Sequence, residues 1–205
     1  MRMCSKIYSV KSSILAGVMI SIGATVYLSA PNKIIGSVMF SIALFAICTF
    51  NLSLFTGKVG YVIDNKNYAD LLVTWLCNLI GVIISTFPIR FAKPELIEVS
   101  RSVIEPKLNQ SYLSTLILGV MCGILMFIAV DNYKKNNSYV GIFLCVPVFV
   151  MCGFEHSIAD MSLFLFGINS VGEILKTTMF ILCVTVANSI GSLLFRNLSS
   201  TKENV

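Results

Sequence analysis

The sequence predicts an all-α integral membrane protein: six transmembrane helices in an inverted repeat of three plus three, with helices two and five broken. Three observations carry this. Hydrophobic residues make up 56% of the 205-residue chain and charged residues 12%, with mean hydropathy +0.86, whereas soluble domains carry roughly 25% charge. The apolar residues gather into runs close to the roughly 20 residues that span a bilayer. The two halves of the chain also echo each other. A single domain, residues 1–205, accounts for this length, which leaves no room for a large soluble domain as well.

Arg2, Lys6 and Lys11 precede the first apolar run, residues 12–30. A basic start before an apolar run is also a signal-peptide pattern. This run has spanning length and an internal counterpart, so it reads as the first helix, closed by Pro31-Asn32. The second run, 34–55, follows closely and makes a hairpin with the first. It leads into Asn51-Leu52-Ser53-Leu54-Phe55-Thr56-Gly57-Lys58-Val59-Gly60. Gly57 and Gly60 are poor helix formers, and Ser and Thr compete for backbone bonds. A helix break is expected here, then a short continuation to Asp64. The third helix covers 68–92, with Trp75 inside it and Pro88 near its end.

Residues 93–110 carry Lys93, Glu95, Glu98, Arg101, Glu105 and Lys107, with Leu96, Val99, Val103 and Ile104 at helical spacing. An amphipathic surface helix bounded by Pro94 and Pro106 fits; a plain solvated connector is the alternative. The fourth helix covers 111–130, and Asp131–Ser138 forms a polar loop with Lys134 and Lys135. The fifth starts near Tyr139, contains Pro147 and meets Gly153-Phe154-Glu155-His156-Ser157-Ile158-Ala159-Asp160-Met161. The sixth covers 172–196, and a polar tail follows.

His156 is the only histidine, and it stands between two carboxylates inside an apolar run. Ionisable groups at membrane depth are costly and mark functional sites by default. The bland alternative is a buried histidine satisfied by backbone. The seven cysteines, Cys4, Cys48, Cys77, Cys122, Cys145, Cys152 and Cys183, form no CxxC pair. They read as packing residues, not as a disulfide framework or metal site, and no cofactor is expected. The net charge of +5 is spread over loops and termini, without the basic patches of a nucleic-acid surface. With both termini on one side, that side holds nine basic residues (Arg2, Lys6, Lys11, Lys58, Lys66, Lys134, Lys135, Arg196, Lys202) against six (Lys33, Arg90, Lys93, Arg101, Lys107, Lys176). The excess favours cytoplasmic termini.

The repeat pairs 12–92 with 111–197. Ile14-Leu15-Ala16-Gly17-Val18-Met19 echoes Leu116-Ile117-Leu118-Gly119-Val120-Met121, and Asn78-Leu79-Ile80-Gly81 echoes Asn188-Ser189-Ile190-Gly191, at offsets of 102 and 110 residues. Each half has one broken helix between these anchors. Inverted repeats with paired broken helices mark transporters and channels, with the permeation site at the repeat interface. Asn78 and Asn188 either satisfy backbone freed at the interruptions or bond between helices without a transport role. Gly81 and Gly191 allow close helix approach.

Leu54-Phe55-Thr56-Gly57, the stretch from Gly153 to Met161 and the two Asn-x-x-Gly motifs together resemble the formate/nitrite transporter family of anion channels, over about residues 8–197. The resemblance implies an aquaporin-like fold and a homo-pentamer with one pore per protomer. It implies that Thr56 faces His156, flanked by apolar constrictions for which Phe40, Leu44, Leu54, Phe55 and Phe149 are the candidates. Three positions depart from the family pattern. Asp160 and Lys58 stand where Asn is usual, and Ser53 where Glu is usual.

The expected function is a multi-pass cell-membrane channel or transporter for small monovalent weak-acid anions: formate, nitrite, hydrosulfide or a short monocarboxylate. Desolvating an ion at low dielectric costs on the order of tens of kcal/mol in the ideal limit; protonation removes the charge. The imidazole, with an unperturbed pKa of about 6.5, is the proton partner. His156, bonded to Thr56, either donates a proton or polarises a water that does. Asn78, Asn188, Glu155, Asp160 and Lys58 complete the substrate and pore set. Glu155 is expected to cap backbone at the break. Asp160 either pairs with Lys58 or faces solvent. The alternative function is a non-conducting structural or sensory protein that retains the fold. An enzyme is not expected, since a nucleophile constellation, a second histidine and a metal-ligand set are missing.

Overall fold

The computed structural model describes residues 2–199, all of whose regular structure is helical. The polar tail with Lys202 lies outside them. The helices are α1 (Arg2–Ser29), α2 (Lys33–Thr49), α3 (Phe55–Lys58), α4 (Val62–Asn65), α5 (Tyr68–Ala92), α6 (Glu95–Asn109), α7 (Tyr112–Asn136), α8 (Val140–Cys152), α9 (Ser157–Gly167) and α10 (Gly172–Ser199), with a 3₁₀ turn at Val59–Tyr61 between α3 and α4. Four are long and apolar enough to span a bilayer: the Ser9–Ser29 stretch of α1, and α5, α7 and α10. The pair α8 and α9 makes a fifth span, bent by 50° at its break. The 17-residue α2 is shorter; with α3 and α4 it takes the place of the second expected span.

The elements form where their sequences favour them. Asn32, Asn67 and Ser111 cap α2, α5 and α7 by accepting backbone N–H groups of Ile35, Asp70 and Ser114. Lys134 and Lys135, expected in a loop, sit in the last turn of α7, where cations complement the helix dipole. Pro106, expected to end the connector helix, lies inside α6 near its end. It removes one backbone donor there. The buried ridge of α6 is Leu96, Ser100, Ile104 and Leu108. Val99, expected on that face, is exposed; Ser100 takes its place and donates to the Leu163 carbonyl at 2.7 Å.

By the alternation of the spans, α6 lies at the membrane face opposite the start of α1. Arg101 fixes it there, with two bonds of 2.7 and 2.6 Å to Glu173 of α10.

Two helix pairs approach unusually closely. A Cβ on Gly17 would collide with the Asn78 carbonyl and one on Gly81 with the Ile14 carbonyl, so α1 and α5 touch backbone to backbone. Gly123 against the Asn188 carbonyl and Gly191 against Val120 do the same for α7 and α10. In a membrane, where apolar burial drives little helix association, such small-residue contacts hold helices together. The residue that corresponds to Gly17 is therefore Gly123, not the expected Gly119. Both stand on one face of α7 a turn apart, and local similarity picks the wrong one. A hydroxyl ladder, Ser21 to Thr86 at 2.8 Å and Thr86 to Ser162 at 3.2 Å, joins α1, α5 and α9.

The outer faces of α5 and α10 present Leu72, Leu76, Ile84 and Phe87, and Leu175, Met179, Val186 and Leu194, all exposed. Such faces suit lipid or other subunits, not water. Gly81→Val should force α1 and α5 apart and destabilise by about 3 kcal/mol or more. Gly172→Ala, which meets only the Ser170 hydroxyl at 3.5 Å, should be near neutral. Thermal unfolding in detergent measures both.

Candidate functional site

The site is built where two helices stop and restart. α2 ends at Asn51, in the left-handed region with φ 51°, and Leu52 N–H closes the turn on the Ile47 carbonyl at 2.8 Å. α8 ends at Gly153, φ 69°, and Phe154 N–H closes on the Phe149 carbonyl at 2.9 Å. Both are Schellman-type ends, which favour Gly or Asn at this position. The first break thus occupies 50–54, ahead of Gly57 and Gly60. Those two glycines face α7 instead: a Cβ on Gly60 would crowd the Phe127 ring.

Each break leaves backbone groups without helical partners, and water is scarce at this depth. Asn78 Oδ1 accepts Phe55 N–H at 2.9 Å, while its Nδ2 donates to the Ser13 and Ser53 carbonyls at 2.7 and 2.9 Å. Asn188 Oδ1 accepts Ser157 N–H at 3.0 Å, and its Nδ2 donates to the Gly119 and Glu155 carbonyls, both at 2.8 Å. Both amides are fully buried and line neither cavity described below. They position the breaks.

His156 is the N-cap of α9. Its Nδ1 accepts Ala159 N–H at 3.1 Å, which assigns the ring proton to Nε2 in the neutral imidazole. Nε2 lies 3.0 Å from Thr56 Oγ1. In this tautomer the imidazole donates and Thr56 accepts. The two breaks therefore meet through one side-chain bond. Phe149 stacks on the imidazole with centroids 5.6 Å apart, and Phe40 packs edge-on against Phe149 at 6.0 Å.

A cavity of about 350 Å³ lies on the α6 side and reaches His156, Phe40 and Phe149. A second, of about 260 Å³, lies on the other side and is lined by Leu44, Leu54, Lys58 and Lys134 among others. Phe55 is buried and lines neither. The α6-side cavity holds a charge cluster. Lys107 Nζ bonds to Glu155 Oε2 and, at 3.1 Å, to Asp160 Oδ1. Gln110 Nε2 donates to Glu155 Oε1 at 3.0 Å. Burial works against the ammonium form of Lys107, but the Asp160 and Glu155 carboxylates outweigh it and raise its pKa above the ordinary lysine value.

Residues 4–200 match the formate/nitrite transporter family. The chain belongs to that family. Its membership places it among multi-pass membrane transporters and not among enzymes. The curated nitrite transporter NirC of Escherichia coli K12 is 27% identical over 214 residues, covering 91% of this chain and 80% of that protein. The formate channel FocA of the same organism is 25% identical, covering 76% of this chain and 65% of its own length. A solved FNT family ion channel superposes with a TM-score of 0.86 at 23% identity over 95% of this chain and 89% of the other. A pentameric formate channel with formate bound superposes at 0.79, also at 23% identity, over 95% and 96%. The fold is that of these channels.

Both expectations for Asp160 are corrected. Lys58 pairs with Asp70 at 2.7 Å and reaches Thr74 Oγ1 at 3.3 Å, so it is not the partner of Asp160. Nor does Asp160 face solvent: it is 2% exposed and bound to Lys107. Glu155 does not cap backbone with its side chain, because Lys107 and Gln110 take both its oxygens. Lys107 and Gln110 are absent from the sequence-based site set. They lie 48 and 45 residues from Glu155, a distance no local pattern bridges.

Removing one member of a buried ion cluster strands the others, at a cost of about 3–5 kcal/mol. Lys107→Met should destabilise by that order, and Asp160→Asn in the same chain should restore part of it. Thermal unfolding of the single and double variants gives the coupling; strictly additive effects would show that the contact carries no energy.

Proposed function

We propose that this chain is a channel for small monovalent weak-acid anions such as formate, nitrite, hydrosulfide or a short monocarboxylate, with His156 and Thr56 assisting protonation during passage. The carrying observation is the 3.0 Å contact between Thr56 Oγ1 and His156 Nε2, at the meeting of two helix breaks with a cavity on each side. The names of the relatives, a nitrite transporter and formate channels, support the anion class.

The chemistry follows from the donors. Thr56 accepts from the imidazole, so its own hydroxyl hydrogen is free to bond a passing anion. Phe40 and Phe149 crowd the imidazole on one side; Leu44 and Leu54 lie toward the other. A bare anion between these walls is heavily penalised, while the neutral acid is not. A hydronium bound at the Thr56 hydroxyl gives its proton to the anion and leaves as water, so the neutral acid crosses and Thr56 and His156 end the step as they began it. His156 stays neutral in this scheme, because protonating Nδ1 would break its bond to Ala159 N–H. Lys33 on the α6 side and Lys134 on the other draw anions to the two mouths.

The exposed apolar faces of α5 and α10, and the pentameric formate channel among the structural neighbours, support a homo-pentamer with one pore per protomer. The excess of basic residues on the side that holds the start of α1 supports cytoplasmic termini.

Proteoliposomes test the reading. The purified chain should pass formate or nitrite, with flux reduced about 10²-fold in His156→Ala, the order of a proton-transfer contribution. Thr56→Val should lose a similar factor and about 1–3 kcal/mol of stability, because the buried Nε2–H of His156 loses its acceptor. A protein that passes none of the proposed anions would instead be a non-conducting member that retains the fold.

A further inference from the structure

The cluster beneath α6 has one carboxylate more than its ammonium can serve. Glu155 has both oxygens occupied, by Lys107 and by Gln110. Asp160 has only Oδ1 occupied, by Lys107 at 3.1 Å. Its Oδ2 is buried and has no hydrogen-bond partner among the described residues, although the residue is 2% exposed and lines the cavity.

We propose that Asp160 is a proton-operated filter residue: the α6-side cavity admits anions to His156 only while the Asp160 carboxyl carries a proton. This rests on the channel reading above.

The argument is one of charge and hydrogen-bond balance. With Asp160 ionised, Glu155 and Asp160 outnumber Lys107, so the cluster beside His156 is net negative, while the exposed Lys33 supplies the opposing charge elsewhere on the cavity wall. A proton on Oδ2 leaves Glu155 paired with Lys107 and makes the cluster neutral. It also gives the unpartnered oxygen a hydrogen to donate, where the ionised carboxylate leaves a buried acceptor without a partner. Between the two acids, Asp160 is the one with an oxygen to spare. The proton comes from a hydronium of the cavity: an O–H bond forms at Oδ2 and water is left behind.

The groups facing Asp160 are consistent with this. Lys107 comes from α6, Glu155 and His156 from the break, and Cys122 of α7 lies within electrostatic reach. Tyr27 of α1 and Lys33 of α2 line the same cavity. α3 contributes Thr56, while its Lys58 is held by Asp70. Arg90 of α5 reaches the Leu165 carbonyl, and Arg101 of α6 is bound to Glu173 of α10, both toward the far end of α9. An asparagine at this position, as the family resemblance implies is usual, would keep the cluster neutral at every pH. The aspartate makes neutrality conditional.

The test compares formate and nitrite flux through the full chain and through Asp160→Asn, in proteoliposomes, as the pH on the α6 side falls from about 8 to about 5. The ratio of variant to wild-type flux cancels protonation of the anion itself. That ratio should fall by about tenfold or more across the interval, a change expected from removing one wall charge. Asp160→Ser, also uncharged, should follow the same curve. A constant ratio with both proteins conducting overturns the filter and leaves the channel reading intact. No flux from either protein at any pH overturns the channel reading and the filter with it. In the wild-type protein, infrared difference spectra should show a protonated-carboxyl C=O band that grows over the same interval as flux. Its absence overturns the proposal even if both variants fail to fold.

Discussion

The constraint behind this structure is that backbone polar groups cannot be left bare in hydrocarbon. A continuous helix meets it by itself; a broken one does not. Asn78 and Asn188 make the breaks possible. Each amide takes the first N–H after its break, the carbonyl two residues before that N–H, and a carbonyl from a neighbouring helix. Three bonds from one side chain fix the position of a break against two other helices. The close contacts at Gly17, Gly81, Gly123 and Gly191 bring the helices near enough for those bonds to form.

Once the breaks are fixed, the site follows. The residue three places after each left-handed residue is the N-cap of the restarting helix: Leu54 in the first break and His156 in the second. The same backbone position thus carries an apolar side chain in one half and an imidazole in the other. The polar partner in the first half comes two residues later, as Thr56. The asymmetry of the filter is therefore a difference of side chains on two breaks with the same hydrogen-bond plan.

Much of this could be read from the chain, because hydropathy and helix-breaking residues act locally. The expected bounds of α5, 68–92, coincide with the observed ones, and the motif around His156 marks the second break. The errors arise where tertiary contact decides. Gly57 and Gly60 read as helix breakers but answer to the bulk of α7. Val99 fits the apolar period, yet Ser100 is buried because the Leu163 carbonyl needs a donor. Gly119 and Gly123 share a face, so sequence alone could not tell which one packs against the Asn188 backbone carbonyl. Lys107 looked like one more surface lysine on a charged connector. Its partners come from the far end of the sequence, and only the fold of α6 over the cavity brings them together. For the same reason neither expectation for Asp160, pairing with Lys58 or facing solvent, finds Lys107.

The two cavities differ in the charge they present. On the α6 side, two carboxylates share one lysine; on the other, Lys58 is offset by Asp70 while Lys134 lies over the Tyr61 ring at 3.6 Å. For a conducting pore this unequal pair of mouths has an electrical consequence. Anions gather at the lysine-rich mouth and thin out at the carboxylate-rich one, so equal voltages of opposite sign drive unequal currents. Such a pore would rectify, and under the proposed role of Asp160 acid on the α6 side would reduce its rectification.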